Sequence, residues 1–358
     1  MDISALYLKI QSQLDHQLPF VVYRKPGGNK INSFLQNDNH LYGANAYDTS
    51  GFVFAPFDNK DIPILIPTDK SSCYTTVSPS ERKVQNQNES SFIHNNLTAK
   101  KNHIKLVKDG IDAIANDSFK KVVLSRKEEM IFSDKDYLKV FRQLIDNYPN
   151  AFVYFWYHPA VGTWLGATPE TLVTIKEDQF FTMALAGTQP YVDSLEVHWG
   201  AKEIEEQAMV TDFVINELSS KVKSIEKSNT YTYQAGTLLH LRTDIKGFLK
   251  NRNSSVEDII NVLHPTPAVC GLPKKLAKSF ILENELYDRK YYTGFLGELY
   301  INHKGKTESN LYVNLRCMEM SSGKAIIYVG GGITKDSISE KEWEETVRKT
   351  ETMKKVLH

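Results

Sequence analysis

The chain has 358 residues, of which 41% are hydrophobic and 24% charged, so it can bury a substantial core as one large domain or two ordinary ones. Its 43 basic residues balance its 43 acidic residues, which excludes the strongly basic surface that nucleic acid or an anionic membrane attracts. An anionic ligand must therefore be held by a local site.

Cysteine usage and the N-terminal segment indicate where the protein works. Cys73, Cys270 and Cys317 are far apart and odd in number, which argues against a disulfide framework and against a thiolate zinc site. The first residues alternate apolar and charged side chains at helical spacing, unlike the unbroken apolar core of a signal peptide. No apolar run approaches the length of a membrane span. We therefore predict a cytoplasmic protein with neither a membrane partner nor a nucleic-acid partner.

The chain begins with a short predicted helix and continues to about residue 67 as β segments cut by Pro, Gly and Asn. Residues 68–96 are rich in Ser, Asn, Gln and Lys, which predicts a long surface loop. This loop is the best candidate boundary in the chain. We place a variable N-terminal part at residues 1–95 and the main region at residues 96–358, within one compact unit.

The main region mixes runs of strands with single helices. Because the strands meander and do not alternate strictly with helices, the pattern predicts an α+β protein with large antiparallel sheets and outer helices. The predicted elements, in chain order, are a helix with Ile104, Val107, Ile111 and Ile114 on one face, a strand at 121–132, a helix at 136–148, β segments over 151–187, a helix over about 196–222, strands near 232–247, helices near 256–263 and 273–282, three strands at 294–301, 310–320 and 324–331, and a closing helix over about 337–356.

Two of these helices each carry a pair of glutamates at E-x-x-E spacing. Glu203 and Glu206 form one pair, and Glu342 and Glu345 form the other. This spacing puts both carboxylates of a pair on one helix face. If the two faces met, four converging carboxylates would repel one another and favour a hard divalent cation such as Mg²⁺. The alternative is two solvated, charged helix faces.

A run of three glycines, Gly330–Gly332, follows an apolar strand, and Arg316 lies just upstream. Glycines at a strand end allow backbone N–H groups to turn toward an anion, and an arginine adds a bidentate contact to a carboxylate. The run does not match the GxGxxG pattern of dinucleotide-binding loops. The alternative is a glycine-rich turn beside an arginine that is paired with a structural carboxylate.

Three further residues would carry chemistry only in suitable surroundings. Lys121 opens an apolar strand, and in a partly buried site its pKa would fall so that it acts as a base. The usual strand-end lysine instead reaches solvent. Glu170 follows a proline at a turn between β segments. His240 lies in a β-like run, where a hydrogen-bonded core histidine is the ordinary interpretation.

Taken together and in order, these features resemble the chorismate-binding enzymes. That family holds isochorismate synthases, salicylate synthases and the large subunits of anthranilate and aminodeoxychorismate synthases. The resemblance runs from about Phe119 to the C-terminus, and it departs from the common pattern at Gln207, where many relatives have His, and at Lys290, where many have Gly. It rests on ten ordered blocks: KVVLSR, WLGATPE, ALAGT, KEIEEQAMVTD, HL, HPTPAVCGLP, YDRKYYTGFLGE, NLRC, VGGGI and EWEETVRK.

The resemblance implies a fold of two large antiparallel β-sheets packed as a core, with helices outside. It also implies Mg²⁺ as the cofactor. Glu206 and Glu345 would hold the cation directly, and Glu203 and Glu342 would support it through water.

The substrate implied by the resemblance is chorismate, with Lys121 as the general base and Glu170 as the general acid. Carboxylate contacts would come from Arg316, the glycine backbone, Tyr292 and Lys349, while His240 would line the ring pocket. The full set of implied substrate-binding residues is Arg316, Gly330, Gly331, Gly332, Lys349, His240, Tyr292, Ala268, Gly187 and Thr188.

Within the family, the residues are most consistent with an isochorismate synthase. Ala186 stands where aminodeoxychorismate synthases commonly carry a lysine, which excludes a covalent lysine mechanism at that position. Anthranilate synthases lack the Lys121 base and work with a glutamine amidotransferase, so we expect no amidotransferase subunit here. The closest alternative is a salicylate synthase, which forms isochorismate and then eliminates pyruvate. Ala268 stands where pyruvate-releasing or aminating relatives tend to have threonine, which favours release of isochorismate with its side chain intact.

Two more alternatives stay open: an anthranilate synthase-like aminating enzyme, and a non-catalytic family member that keeps the fold. The resemblance also leaves open whether the product feeds menaquinone, a catecholate siderophore or salicylate.

Overall fold

The computed structural model describes residues 2–78, 97–133, 136–236, 238–250, 256–321 and 323–357. A turn of 3₁₀-helix covers Thr68–Lys70. Seven α-helices lie within the described residues: α1 (Ile3–Asp15), α2 (Leu97–Ala115), α3 (Tyr137–Asn147), α4 (Ala201–Ser219), α5 (Val256–Leu263), α6 (Lys274–Asn284) and α7 (Ser339–Lys354).

The same residues form nineteen strands. They are β1 (Phe20–Arg24), β2 (Lys30–Gln36), β3 (Tyr42–Gly43), β4 (Gly51–Ala55), β5 (Ile64–Pro67), β6 (Ser71–Val77), β7 (Lys121–Ile131), β8 (Phe152–His158), β9 (Gly162–Thr168), β10 (Thr171–Lys176), β11 (Gln179–Pro190), β12 (Val222–Lys227), β13 (Tyr231–Ala235), β14 (Leu238–Leu249), β15 (Gly271–Leu272), β16 (Phe295–His303), β17 (Lys306–Val313), β18 (Cys317–Ser321) and β19 (Lys324–Ile333).

These strands form two sheets in which every neighbouring pair is antiparallel. The first sheet has nine strands in the order β15-β7-β19-β18-β9-β8-β1-β2-β6. The second has ten, in the order β12-β14-β11-β10-β17-β16-β4-β5-β3, with β13 also paired to β14. The α+β class and the two large antiparallel sheets are therefore confirmed. Strands that precede residue 78 join both sheets, and the division at residue 95 stays a prediction.

Alternation along the strands explains why the two sheets face each other. In β1, Tyr23 points into an aromatic core between the sheets, while Phe20 and Val22 pack on the opposite face with α1 and α3. A strand that is buried on both faces has a continuous apolar sequence, as this one does. Across the core, Phe152 of the first sheet stacks on Tyr312 of the second with ring centroids 4.1 Å apart.

The helices cover the outer faces, as the resemblance implies. On the second sheet, α4 and α5 pack against an apolar cluster that contains Val210, Val214 and Ile259. On the first sheet, α2 and α6 pack over β7, and α7 packs along β19. None of the described helices is both long enough and apolar enough to span a membrane.

Two neighbouring segments carry the chain from one sheet to the other, and we call them the paired crossings. One is residues 169–170, between β9 and β10, and the other is residues 314–316, between β17 and β18. They hydrogen-bond to each other: the Val313 N–H donates to the carbonyl of Glu170 at 3.0 Å, and the Ala167 N–H donates to the carbonyl of Arg316 at 3.0 Å. Each crossing therefore holds the other in place.

The crossing at 314–316 corrects one prediction. Residues 310–320 were predicted as a single strand, but the chain leaves the second sheet after Val313 and enters the first at Cys317. Asn314 is fully buried at the break, where its side chain donates to the carbonyl of Tyr291 and accepts from the Tyr154 hydroxyl. The apolar pattern runs through the break because both sheets bury their strands, so periodicity alone does not reveal it.

The predicted loop over residues 68–96 is wrong in its first part. Residues 71–77 form β6, which pairs with β2 along the edge of the first sheet. Polar side chains are common there because an edge strand exposes one face, and β6 is largely half-buried or exposed. The remainder of the predicted loop, residues 79–96, lies outside the described residues. The helix predicted over about 196–222 is also shorter than expected, because it begins after Gly200 and Val222 already belongs to β12.

Candidate active site

One open cavity gathers most of the residues that the sequence singled out. It lies beside the paired crossings, between the β7–β19 side of the first sheet and β11 and β14 of the second. Of the sixteen predicted site residues, all but Lys121 and Glu342 line it: Glu170, Gly187, Thr188, Glu203, Glu206, His240, Ala268, Tyr292, Arg316, Gly330, Gly331, Gly332, Glu345 and Lys349. The two others lie behind this lining and contact it directly.

The glycine run is part of a strand, so the alternative of a glycine-rich turn does not hold. Gly330, Gly331 and Gly332 continue β19 and pair with β7 from Ser125 to Val123. Pairing with β18 ends at Tyr328, so no strand of the described part of the chain lies beside the other edge of the glycine run. The carbonyl of Gly330 on β19 accepts a hydrogen bond from Lys349 at 3.1 Å. The run thus presents an unpaired backbone edge at the cavity, which polar groups can use.

The missing side chains of the glycine run also make room for the acidic helices. A Cβ atom on Gly332 would lie 2.4 Å from Glu206 Oε1 and 3.1 Å from Lys121 Cε. A Cβ atom on Gly331 would lie 3.4 Å from Glu342 Oε2 and 3.7 Å from Glu345 Oε1. Carboxylates from α4 and from α7 therefore approach the same strand end, as the two E-x-x-E pairs predict.

The acidic groups do not simply converge and repel one another, however. Three of them each form an ion pair with a lysine: Glu206 with Lys121 at 2.8 Å, Glu342 with Lys202 at 2.6 Å, and Glu345 with Lys349 at 2.7 Å. In this arrangement, no three Asp, Glu, His or Cys side chains of the described residues are close enough together to hold a metal ion. Lysine ammonium groups therefore offset part of the repulsion that the converging carboxylates would otherwise have.

The donor set nevertheless has the chemistry of a magnesium site. Burial raises the pKa of Glu342, and the neighbouring Glu345 carboxylate raises it further, although Lys202 opposes the shift. Oε2 of Glu342 is buried, and no described donor makes a hydrogen bond of good geometry to it. An unsatisfied carboxylate oxygen beside a second carboxylate suits a hard cation with oxygen ligands. The residues present therefore fit Mg²⁺, provided that the cation displaces lysines from the carboxylates.

Lys121 is fully buried, so it is not the solvent-exposed strand-end lysine of the ordinary interpretation. Among the described residues, Glu206 is its ion-pair partner. Burial opposes ionisation of Glu206, but the ammonium groups of Lys121, Lys202 and Lys349 together outweigh burial and hold the pKa of that carboxyl below its usual value. Lys121, the first residue of β7, and Glu206 of α4 are thus held together at the cavity wall.

Glu170 lies on the first of the paired crossings and is 96% buried. Burial raises the pKa of its carboxyl to about 8, and the positive charges of Lys121 and Arg316 only partly oppose this. Glu170 is therefore mainly protonated at neutral pH and can donate a proton.

Arg316 lies on the second crossing with a backbone φ of +46°. Its Nη1 donates to the carbonyl of Ala235 at 2.8 Å, and its Nη2 donates to Nε2 of His240 at 2.9 Å. No acidic side chain of the described residues lies within ion-pair distance of it, in contrast to the alternative of a structural pair. Burial lowers the pKa of Arg316 to about 10, so it is still a cation at neutral pH. A cation without an acidic partner in a cavity indicates an anionic ligand.

The remaining predicted positions complete the wall. Tyr292 is buried and stacks on Tyr328, with its hydroxyl beside Gly330. Gly187 and Thr188 lie where the pairing of β11 with β14 shifts register, which brings the carbonyl of Gly187 to His240. Ala268 lines the cavity after the cis peptide at Pro265.

Sequence reasoning did not single out Lys202. It lies one residue before Glu203 and reaches across from α4 to Glu342 on α7. Its sequence signal was present, because a lysine four residues before Glu206 lies on the same helix face as that acid. Which acid it pairs with depends on how α4 and α7 approach each other, and this is not encoded locally.

The comparison with known proteins agrees with this geometry. A family model described as chorismate binding enzyme matches residues 60–358. Isochorismate synthase DhbC of Bacillus subtilis is 33% identical over 204 residues, which is 54% of this chain and 50% of that protein. The chain spans about half the length of the curated relatives it matches.

Two solved structures share the fold over nearly the whole chain. A 2,3-dihydroxybenzoate-specific isochorismate synthase, DhbC, from Bacillus anthracis superposes with a TM-score of 0.79 and 23% identity, covering 98% of this chain and 99% of that one. MenF, the menaquinone-specific isochorismate synthase from Escherichia coli, superposes with a TM-score of 0.76 and 20% identity, covering 95% and 89%. At this level of identity the superpositions establish the fold. With the family model matching most of the chain, the protein belongs to the chorismate-binding enzymes.

Proposed function

We propose that this protein is an isochorismate synthase that converts chorismate to isochorismate. The observation that carries the proposal is the set of charges around one cavity: a fully buried lysine, a buried carboxyl with a pKa of about 8, and an arginine that has no acidic partner among the described residues. Chorismate is a dicarboxylate, and its isomerisation requires one group to accept a proton and another to donate one. The names of the similar proteins support the same activity.

The proposed reaction moves a hydroxyl group from C4 of the ring to C2. Lys121, as a neutral amine, accepts a proton from a water molecule while the water oxygen bonds to C2. The ring double bonds shift, and the C4–O bond breaks as protonated Glu170 donates its proton to the departing hydroxyl, which leaves as water. Oxygen, hydrogen and charge balance, because one water enters and one leaves.

Lys121 needs a free nitrogen lone pair to act as a base, but its amino group is held in an ion pair with Glu206. A ligand that takes up the charge of Glu206 therefore prepares Lys121 for its role. Mg²⁺ bound by Glu206 and Glu345, with Glu203 and Glu342 in support, would supply positive charge next to the substrate carboxylate. Arg316 and Lys349 would bind carboxylate oxygens, and the Gly330–Gly332 edge would approach the ligand closely.

We predict that Glu206→Gln and Glu345→Gln each abolish activity with chorismate and weaken Mg²⁺ binding by at least about tenfold, because each removes a charged oxygen ligand. Calorimetric titration of Mg²⁺ measures the binding directly, without substrate. Each substitution also leaves a lysine without its ion-pair partner, so we expect a loss of stability. The loss should be larger for Glu206→Gln, because its partner Lys121 is fully buried.

Glu344→Gln is the matched control, since Glu344 lies on the same helix with an exposed side chain. It should leave both affinity and activity near those of the wild type. Full activity of the wild type in excess chelator would contradict the magnesium proposal.

We predict that chorismate plus Mg²⁺ gives isochorismate reversibly, with little pyruvate or salicylate. Ala268 offers no hydroxyl to orient the enolpyruvyl side chain, so elimination is not assisted. Chromatography of the products, without coupling enzymes, measures the ratio of isochorismate to pyruvate. Stoichiometric pyruvate release near neutral pH would instead assign the protein to the salicylate synthases.

Ala268→Thr tests whether this position matters. The variant should raise the share of pyruvate among the products, and Ala268→Ser should act in the same direction because it also adds a hydroxyl. An unchanged ratio in both variants would show that Ala268 is a packing residue only.

A further inference from the structure

We propose that His240 is a positioning residue: it forms a hydrogen-bonded relay from the carbonyl of Gly187 to Arg316 and so fixes the direction of the guanidinium. This inference rests on the proposed function, in which Arg316 binds a substrate carboxylate. It differs from the role that the resemblance implies for His240, which is to line the ring pocket.

The two partners of the imidazole fix its protonation state. Nδ1 lies 2.8 Å from the carbonyl oxygen of Gly187, and a carbonyl can only accept, so Nδ1 carries the proton. Nε2 lies 2.9 Å from Nη2 of Arg316, and a guanidinium can only donate, so Nε2 carries none. A histidine protonated on both nitrogens would have no acceptor to offer Arg316.

The surroundings of the ring keep it in this neutral form. His240 is 92% buried. Burial lowers its pKa to about 3, and the positive charges of Arg316 and Lys349 act in the same direction. The relay is therefore complete throughout the neutral pH range.

The relay acts on a side chain whose terminal nitrogens are held by the second sheet. Arg316 lies on a sheet crossing, between two strands and not within one. Its Nη1 donates to the carbonyl of Ala235 in β13, and its Nη2 donates to Nε2 of His240 in β14. Of the five N–H groups of a guanidinium, three are left for other partners. Two fixed nitrogens orient the plane of the guanidinium before a ligand arrives, which reduces the ordering cost of binding.

Replacing His240 with asparagine or with glutamine separates the two hydrogen bonds of the relay, the one to Gly187 and the one to Arg316. In His240→Gln, the amide reaches the position of Nε2, so an acceptor for Arg316 is kept. In His240→Asn, the amide reaches only the position of Nδ1, so the bond to Gly187 is kept and Arg316 loses its acceptor. Both variants remove the aromatic ring, so a direct ring contact with substrate is lost equally in both.

We expect His240→Asn to raise the KM for chorismate about ten- to a hundredfold, the range for losing a hydrogen bond to a charged group, with a smaller change in kcat. His240→Gln should stay within about threefold of the wild-type KM. In an Arg316→Lys background, His240→Asn should add little, because the two residues act as one unit. Equal impairment of the two single variants, or additive effects in the double variant, would overturn the relay.

A spectroscopic test is independent of the substrate. In ¹⁵N-histidine NMR spectra of the wild-type protein, His240 should be protonated on Nδ1 alone, and its Nε2 resonance should move in Arg316→Lys. The signal is assigned by its absence from His240→Gln. Protonation on Nε2, or a resonance indifferent to Arg316, would contradict the relay even if His240→Asn proved too unstable to assay. If the wild type has the expected spectrum but does not convert chorismate, the proposed function is contradicted and the relay is not.

Discussion

Replacing Lys121 with alanine is expected to lower kcat with chorismate by a factor of about 10² or more, the usual range for the loss of a general base. The lysine is fully buried beside Glu206 and the glycine run, whereas Lys202 and Lys349, which also line the cavity, are each paired with a glutamate of α7. The KM for chorismate should change far less, because the proposed carboxylate contacts come from Arg316 and Lys349. Steady-state rates at saturating Mg²⁺ measure both constants.

Lys121→Arg distinguishes a base from a simple positive charge. Arginine keeps the ion pair with Glu206, but its guanidinium does not lose a proton in the accessible pH range. We expect this variant to be as slow as Lys121→Ala. Lys120→Ala is the control, because its side chain is exposed next to the site and should not affect turnover. An active arginine variant would show that Lys121 acts through charge alone.

Glu170→Gln is expected to lower kcat by a similar factor and also to change how stability depends on pH. Burial places the pKa of Glu170 at about 8 in the folded protein, against an ordinary value of 4.5. Between these values the unfolded chain releases this proton before the folded chain does. The wild type therefore loses stability relative to Glu170→Gln as pH rises from about 4.5 to 8. Above pH 8 the difference between the two free energies of unfolding, which we call the gap, stays constant. The full gap should be on the order of a few kcal/mol.

Urea unfolding of both proteins at pH 4.5 and pH 8.5 measures this gap. Glu128→Gln is a control of opposite sign, because Arg126 and Lys354 overcome burial and hold the pKa of Glu128 below its usual value. The wild type should lose stability relative to that variant as pH falls below the ordinary glutamate pKa of 4.5, so urea unfolding of this control pair is also measured at about pH 3. A gap between wild type and Glu170→Gln that is the same at both pH values would contradict the buried, protonated acid. The turnover of the wild type should also fall above pH 8, as the acid ionises.

The sequence predicted the fold class and the residues of the cavity more fully than it predicted which of those residues form ion pairs with one another. The E-x-x-E spacing correctly placed Glu206 and Glu345 toward a common region. The burial of Lys121 could not be inferred, because it results from α2 and α6 packing over β7 and from a carboxylate more than eighty residues away. The sheet crossing at Arg316 was hidden inside an apolar run, where the polar residues Asn314 and Arg316 were the available signal.

Both departures from the family pattern have a structural account. Gln207 is buried, and its side-chain amide donates to the carbonyl of Ala184 and to the Thr243 hydroxyl. The amide N–H groups of this uncharged residue therefore have acceptors at this position. Lys290 takes a backbone φ of +50°, a conformation that favours glycine, and its ammonium contacts both oxygens of Glu319 at 2.9 and 3.0 Å. Neither residue lines the cavity.

The paired crossings have a consequence for the order in which the molecule folds. Ala167 bonds to Arg316, and Glu170 bonds to Val313, although the partners in each pair are far apart in the chain. Contacts of such long sequence separation carry a large loop-closure cost and form slowly. Glu170, the proposed acid, and Arg316, the proposed anion-binding residue, therefore meet only after both sheets have associated. An intermediate in which the sheets have not yet associated would contain helices and strands but no assembled site. Recovery of ligand binding during refolding should therefore lag behind recovery of secondary structure.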